Sequence, residues 1–425
     1  MAVQDMPPNA ATTATAAAAH PCGAVATVSS PSQHVTGRVC DQPEPEPLLN
    51  RAVMPDVKYE TDGTLLQSIA GKLYVLLLVV AALLDMMFFI LPLKFVLRPL
   101  VLGNGGYQRC MRVVEGLFFA MMAGLLEVVG GLNMVITTDA DDTLRFEDFE
   151  HVLLIANHRT EIDWIFFWNL ALRLGYHDRI RVMLKAAIRF VPGPGWAMLL
   201  LDFPYVNRDW ASDQQKIKTQ VQAYSQTKQS TWLAMFPEGT ALYSKTLKQS
   251  QEFARAHGNP EWNYVLQPRV RGFELCWQVL NPEWVVDLTM AYPELADGVR
   301  PSPLRLFRGQ IPREVHVHVK RYHREDMRQH AGDGDIGKWV KTRFAEKEKL
   351  LQQFYEHKSF EHKQSGPCKR ATFKHGTAGR AIAGLSFHVA LIAFTVYLWM
   401  ALPTILMSSW FLLSFGVAIY FVKTF

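Results

Sequence analysis

The chain has 425 residues, 49% of them hydrophobic and 20% charged, with a formal net charge of +5. It is too apolar for an ordinary soluble enzyme and too charged for a transporter, so a folded domain combined with membrane segments is expected. Five cysteines, Cys22, Cys40, Cys110, Cys276 and Cys368, show no short repeat spacing, which argues against a disulfide framework or a zinc knuckle and for reduced thiols facing the cytosol.

Residues 1–50 are rich in Ala, Thr, Ser and Pro, hold Arg38 as their only Lys or Arg, and end in Pro43-Glu44-Pro45-Glu46-Pro47. Such a stretch cannot bury enough apolar surface to fold, so residues 1–70 are expected to be a disordered tail. Asp5, Asp41, Glu44 and Glu46 speak against a transit peptide, and no apolar run follows the first residues.

Two runs of twenty-one residues come next, Leu73 to Leu93 broken only by Asp85 and Gly116 to Ile136 broken only by Glu127. Each is long enough to cover about 30 Å as a helix, so residues 71–136 are expected to hold the N-terminal membrane segments. The loop between them carries Lys94, Arg98, Arg109 and Arg112, whereas Asp139, Asp141 and Asp142 follow the second. Counted by the positive-inside rule, the loop belongs in the cytosol and the domain that follows on the other side.

From about 137 to 325 the pattern changes to short apolar runs, such as His151–Ala156 and Trp232–Phe236, alternating with amphipathic stretches such as Asp213–Lys228. That is the βα alternation of an α/β domain. Residues 301–380 carry eighteen Lys or Arg against nine Asp or Glu, an excess suited to anionic lipid headgroups. No recognition motif accompanies it that would suit nucleic acid. Residues 326–380 are expected to be a basic helical region, in which the mixed charges of Lys338–His357 suggest a solvated helical face. Two last apolar runs, Ala381–Ala401 and Thr404–Val422, are separated by Pro403 and flanked by Lys374, Arg380 and Lys423. They are expected to form a transmembrane helical hairpin over residues 381–425.

Three constellations carry the chemistry. The first, Asn157-His158-Arg159-Thr160-Glu161-Ile162-Asp163-Trp164, follows the apolar run Val152–Ala156. Strand, turn and helix would place His158 at a strand end with Asp163 near enough to bond one imidazole nitrogen and leave the other free to take a proton. Asn157 is expected to cap the helix. In the second, Lys185 and Arg208 bracket the turn Pro192-Gly193-Pro194-Gly195 and the run Phe203-Pro204-Tyr205-Val206, an arrangement suited to a phosphate beside an apolar chain. In the third, Phe236-Pro237-Glu238-Gly239-Thr240 closes the strand-like Trp232–Met235. Glu238, Gly239 and Thr240 offer a carboxylate, backbone amides and close approach to a polyol headgroup. Gly-x-Ser-x-Gly, Walker and His-Glu-x-x-His motifs are missing from the sequence. His316 and His318 share a strand face without an evident third ligand, so no metal is expected.

In their order and spacing these blocks resemble the glycerolipid acyltransferase family, which makes phosphatidic acid and remodels lysophospholipids. The fourth block, Val265-Leu266-Gln267-Pro268-Arg269-Val270-Arg271-Gly272-Phe273, departs from the bacterial pattern and resembles the eukaryotic branch with a long C-terminal tail. Glu314–Val319 is similar to a strand of that branch. The resemblance covers about residues 70–425 and implies an α/β acyltransferase domain with N-terminal membrane helices and a C-terminal hairpin. It further implies His158 as general base paired with Asp163, and Lys185, Arg208, Glu238, Gly239 and Thr240 as substrate-binding residues. Acyl-CoA is implied as co-substrate with no cofactor, in a multi-pass protein of the endoplasmic reticulum membrane among membrane lipids, with no nucleic acid partner. The preferred acceptor is lysophosphatidic acid. The alternatives are a lysocardiolipin or lysophosphatidylinositol remodelling enzyme and a non-catalytic lipid-binding scaffold. Because acyl-CoA is cytosolic, at least one N-terminal segment is expected to be re-entrant or to lie within one leaflet, with Asp85 and Glu127 turned to protein.

Overall fold

The computed structural model describes residues 63–139, 144–147, 150–227, 229–331, 335–361, 368–371, 376–402 and 404–424. The tail up to residue 62, Asp141, Asp142, Lys374 and Pro403 lie outside the described residues. Helix α1 (Leu65–Asp85) starts inside the stretch expected to be tail, because Thr64 and Gln67 form a capping box: Thr64 Oγ1 accepts from the Gln67 amide at 3.2 Å and Gln67 Oε1 from the Thr64 amide at 3.0 Å. Beyond Asp85 the backbone winds on in wide π-type turns, Met86–Ile90 and Pro92–Leu102. Pro92 and Pro99 withhold amide donors there, which breaks the regular i to i−4 ladder. Helix α2 (Gly103–Val128) ends before Gly130-Gly131, so the expected membrane segment Gly116–Ile136 is helical only as far as Val128. Its last residues belong to strand β1 (Asn133–Asp139).

The α/β body follows in chain order as β2 (Val152–Ala156), α3 (Ile165–Leu174), β3 (Ile180–Val182), β4 (Leu184–Lys185), α4 (Pro194–Leu200), β5 (Tyr205–Val206), α5 (Trp210–Ser225), β6 (Trp232–Met235), α6 (Ser244–Ala256), α7 (Val270–Leu280) and β7 (Trp284–Ala291). Then come α8 (Pro293–Ala296), α9 (Pro303–Phe307), β8 (Glu314–His323), α10 (Arg324–Ala331), α11 (Ile336–His357), β9 (Cys368–Arg370), α12 (Thr377–Ala401) and α13 (Thr404–Thr424). Seven strands form one sheet in the order β3-β6-β2-β7-β8-β1-β9, and β4 pairs β5 separately. β3, β6, β2 and β7 run parallel. β2 and β6 are buried along their whole length, as unbroken apolar runs in a parallel sheet should be. The carboxyl ends of these neighbours therefore open on one crevice, where ligands of such sheets bind.

Helix α2 packs along this body through its length. Arg112 donates to the Ser230 carbonyl at 2.7 Å, Glu115 accepts from both terminal nitrogens of Arg181 at 2.7 and 3.0 Å, and Phe119 stacks on Trp168 at 4.3 Å. Asn169 of α3 donates to the Ala123 carbonyl and to Glu127 at 2.9 and 2.7 Å. Lys94, between the first two helices, donates to Asp202 at 2.8 Å. Of the four cations there, Lys94 and Arg112 thus reach the α/β body, while Arg98 and Arg109 bond locally to Asn104 and the Gly105 carbonyl.

Both acids within the apolar helices face protein, and they do not pair with each other. Glu127 meets Arg173 and accepts from the Thr377 hydroxyl at 2.7 Å, while Asp85 Oδ2 lies 3.0 Å from Nε2 of His388 on α12. Gly384 lets α12 lie close against α2, since a Cβ there would strike the Leu117 carbonyl and Met121. Leu65–Val128, Thr377–Ala401 and Thr404–Thr424 are long and apolar enough to cross a membrane.

The expected basic helical region is part of the body. Lys338–His357 does not form a wholly solvated face: α11 buries Trp339, Val340, Phe344, Lys347, Leu351, Phe354 and Tyr355, an apolar stripe at helical spacing that its charges mask. Lys347 pairs with Asp287 and donates to the Leu288 carbonyl at 2.5 Å, fastening α11 to β7. β9, expected to be helical, extends the sheet beside β1.

Candidate active site

β2 ends where Asn157 joins its neighbour. Asn157 is not a helix cap: its buried amide donates to the Met290 carbonyl at 3.0 Å and accepts from the Met290 amide at 2.7 Å, fastening the ends of β2 and β7. Helix α3 begins only at Ile165, outside the reach of a capping side chain at position 157.

His158 follows directly. Its Nδ1 lies 3.0 Å from Asp163 Oδ2, and its ring stacks on Phe236 with centroids 4.0 Å apart and planes 16° apart. One nitrogen and the ring plane are thus fixed, while Nε2 meets no hydrogen-bonding group among the described residues and the side chain is 13% exposed. With an ionised carboxylate at Nδ1, the proton of the neutral ring belongs there and Nε2 keeps its lone pair.

Asp163 has no exposure at all. Burial acts to raise its carboxyl pKa, but His158, the Thr160 amide at 2.9 Å and the Tyr292 hydroxyl at 2.5 Å together hold it below its usual value. The Thr160 hydroxyl donates at 2.7 Å to Oδ1, the oxygen that also takes the Tyr292 hydroxyl, while His158 and the Thr160 amide share Oδ2. Burial, reinforced by Asp163, pushes the Tyr292 hydroxyl well above its ordinary value, so it stays a donor. His158 after β2, Phe236 after β6 and Tyr292 after β7 come from three adjacent parallel strands, each at its carboxyl end.

Glu238 was expected at the headgroup, but its two oxygens meet the protein's own backbone. Oε1 accepts from the His158 amide at 2.7 Å and Oε2 from the Leu266 amide at 2.9 Å. Burial pushes its carboxyl up to about 8, against the pull of those two amides. Gly239 turns the chain at φ +73°, where a Cβ would sit 3.3 Å from Arg269 Cδ. Thr240 follows, half-buried.

Arg208 also has a positive φ, of +69°, because Asp213 holds the backbone there, accepting from the Asn207 and Arg208 amides at 3.0 and 2.8 Å. Its guanidinium is pulled below the ordinary arginine value by partial burial and by the nearby charge of Arg269. Neither arginine has a carboxylate partner among the described residues. Lys185 is exposed at the end of β4, opposite Val206, so it and Arg208 leave the same end of the small parallel pair. Arg269 thus lies against Gly239, and its charge is felt at Arg208.

Thr160, Tyr292 and Arg269 are site residues to which the motifs assign no role. Arg269 had one available signal, its place after Pro268 in the fourth block. His316 and His318 are engaged separately, His316 with Glu314 at 3.2 Å and His318 with Thr137 at 3.1 Å. Among the described residues no three His, Cys, Asp or Glu side chains group as metal ligands.

Comparison with known proteins matches residues 142–259 to the acyltransferase family model and residues 305–376 to the acyltransferase C-terminus model. Lysocardiolipin acyltransferase 1 of Danio rerio is 33% identical over 290 residues, which is 67% of this chain and 71% of the relative. Probable 1-acyl-sn-glycerol-3-phosphate acyltransferase 5 of Arabidopsis thaliana is 34% identical over 255 residues, 60% of this chain and 65% of that protein. The crystal structure of the 1-acyl-sn-glycerophosphate acyltransferase PlsC from Thermotoga maritima aligns with a TM-score of 0.40 at 13% identity, covering 68% of this chain and 96% of that one.

Proposed function

The chain belongs to the glycerolipid acyltransferase family, and from that premise we propose that it acylates 1-acyl-sn-glycerol 3-phosphate with acyl-CoA to give phosphatidic acid. The observation that carries the chemistry is the His158–Asp163 pair, with Nδ1 held and Nε2 open. Nε2 takes the proton of the acceptor hydroxyl as that oxygen attacks the thioester carbonyl carbon. The carbon–sulfur bond breaks, and the imidazolium returns its proton to the departing thiolate of coenzyme A. Asp163 offsets the charge on the ring meanwhile. No acyl-enzyme is needed, because a thiolate leaves readily.

Arg208 and Arg269 supply the headgroup end, with Lys185 at its edge. Two guanidiniums without carboxylate partners favour a doubly charged phosphomonoester over a phosphodiester. The resemblance to a lysocardiolipin acyltransferase supports a second reading, in which the acceptor is a lysophospholipid undergoing remodelling. Glu238, on this proposal, orders the His158 turn without touching the ligand. The protein is proposed to sit in the endoplasmic reticulum membrane with α12 and α13 as a hairpin. The N-terminal pair is re-entrant, a reading supported by the Lys94 and Arg112 contacts with the catalytic body.

The test is purified protein with oleoyl-CoA and a panel of lysophosphatidate, lysocardiolipin and lysophosphatidylinositol, followed by thiol release. Lysophosphatidate is expected to have the highest kcat/KM. A preference for either phosphodiester overturns the acceptor assignment, and full activity in His158→Ala overturns the mechanism.

A further inference from the structure

The segment from Asn263 to Arg269 has no secondary structure of its own, yet each of its backbone amide protons has an acceptor outside the segment. The amides of Asn263, Tyr264 and Val265 donate to the carboxylate of Glu348 at 2.7, 2.8 and 3.1 Å. Leu266 donates to Glu238 at 2.9 Å, Gln267 to the Ser250 hydroxyl at 2.9 Å and Arg269 to the Pro237 carbonyl at 2.8 Å. Pro268 has no amide proton. The shape of this strap is therefore imposed by its neighbours, and nearly half of it by one side chain.

Glu348 lies on α11, in the region matched by the C-terminal family model. The helix is held on both sides of it. Lys347 is paired with Asp287 of β7. Tyr355 stacks on Tyr264 at 5.6 Å and lies under the guanidinium of Arg159 at 5.3 Å. Arg159 in turn donates to the Tyr264 carbonyl at 2.9 Å. The strap thus runs between a fixed helix and the catalytic turn, and Arg269 stands at its far end against Gly239.

We propose that Glu348 is a positioning residue for the headgroup end of the site: by gathering three consecutive amides it sets the strap, and through the strap the place of Arg269 beside Arg208. The proposal rests on the reading of that arginine pair as the phosphate site. It gives the C-terminal region a part in acceptor recognition without a ligand contact of its own.

The experiment is a double-mutant cycle between Glu348→Gln and Arg269→Ala, with KM for lysophosphatidate, KM for oleoyl-CoA, kcat and the melting temperature measured for each variant. Gln keeps one acceptor oxygen where the carboxylate has two, so some of the three amides lose their partner. Glu348→Gln is expected to raise the lysophosphatidate KM about five- to tenfold, with kcat and the oleoyl-CoA KM within about twofold of wild type. In the Arg269→Ala background it is expected to raise that KM no further, because the residue it positions is gone. Glu348→Asp, which keeps the charge, is expected to recover part of the loss, and it takes the place of Gln in the cycle if the Gln variant does not fold. A multiplicative effect in the Arg269→Ala background, a loss confined to kcat, or an unchanged KM overturns the positioning role. An unchanged KM in Arg269→Ala itself refutes the phosphate site instead, and the positioning role with it.

Discussion

Asp163→Asn separates charge from geometry at the proposed catalytic pair, His158 and Asp163. The carboxylate accepts four hydrogen bonds, from His158 and the Thr160 amide on one oxygen and from the Thr160 and Tyr292 hydroxyls on the other. An asparagine can turn its oxygen to the first pair and its NH2 to the second, because hydroxyls can rotate and accept. The tautomer of His158 then survives, and only the negative charge is lost. Two unit charges about 4 Å apart at an effective dielectric of about 20 interact by about 4 kcal/mol, and the neutral hydrogen bond that remains retains about 1 kcal/mol. The net loss of about 3 kcal/mol predicts a fall in kcat of roughly 10², smaller than the 10² to 10⁴ span's upper end that removal of the base itself can reach. Single-turnover thiol release at saturating oleoyl-CoA and lysophosphatidate measures it. A kcat within about fivefold of wild type would show that the charge is not used. A loss equal to that of His158→Ala would show that the ring is no longer held.

Arg208→Lys keeps the charge but loses the fork, so the lysophosphatidate KM should rise severalfold with the oleoyl-CoA KM unchanged; the reverse pattern assigns Arg208 to the coenzyme's phosphates. Burial pushes the Glu238 carboxyl up to about 8 in the folded protein, against an ordinary 4.5. The folded state therefore holds its proton more tightly than the unfolded chain, a contribution fully present below about 4.5 and lost as pH rises through about 8. The melting temperature should fall between pH 5 and 8, and Glu238→Gln should flatten that slope; an unchanged slope refutes it. For the re-entrant arrangement, single cysteines at Arg109 and at Lys216 on α5 should be labelled by an impermeant maleimide from the same face of sealed vesicles. Labelling from opposite faces overturns it.

Sequence reading reaches those parts of the site that are local. His158 and Asp163 are five positions apart, and a strand, a turn and a helix between them suffice to bring them together. Tyr292 lies 129 positions from Asp163, and its role depends on β7 pairing with β2, which no spacing reveals. The same holds for Glu238, whose partners are a turn on the neighbouring strand and a distant strap. Charge also concealed structure: α11 carries enough Lys and Glu to look solvated, while the apolar residues between them form its buried stripe. At the end of α2 the apolar run continues unbroken into β1, so hydropathy alone places the boundary several residues late.

The joining of α12 to the first two helices has a consequence for biosynthesis. Asp85 and Glu127 leave the ribosome inside apolar helices long before their partners: His388 lies 303 positions after Asp85, and Thr377 lies 250 positions after Glu127. At about 5 to 20 residues per second, Asp85 waits roughly 15 to 60 s for His388 to be made. Throughout that interval the nascent chain carries an acid in an apolar helix without its final partner, while the α/β body that separates the two ends is still being synthesised. Completion of the helical bundle is therefore a late event, governed by the last helices to emerge.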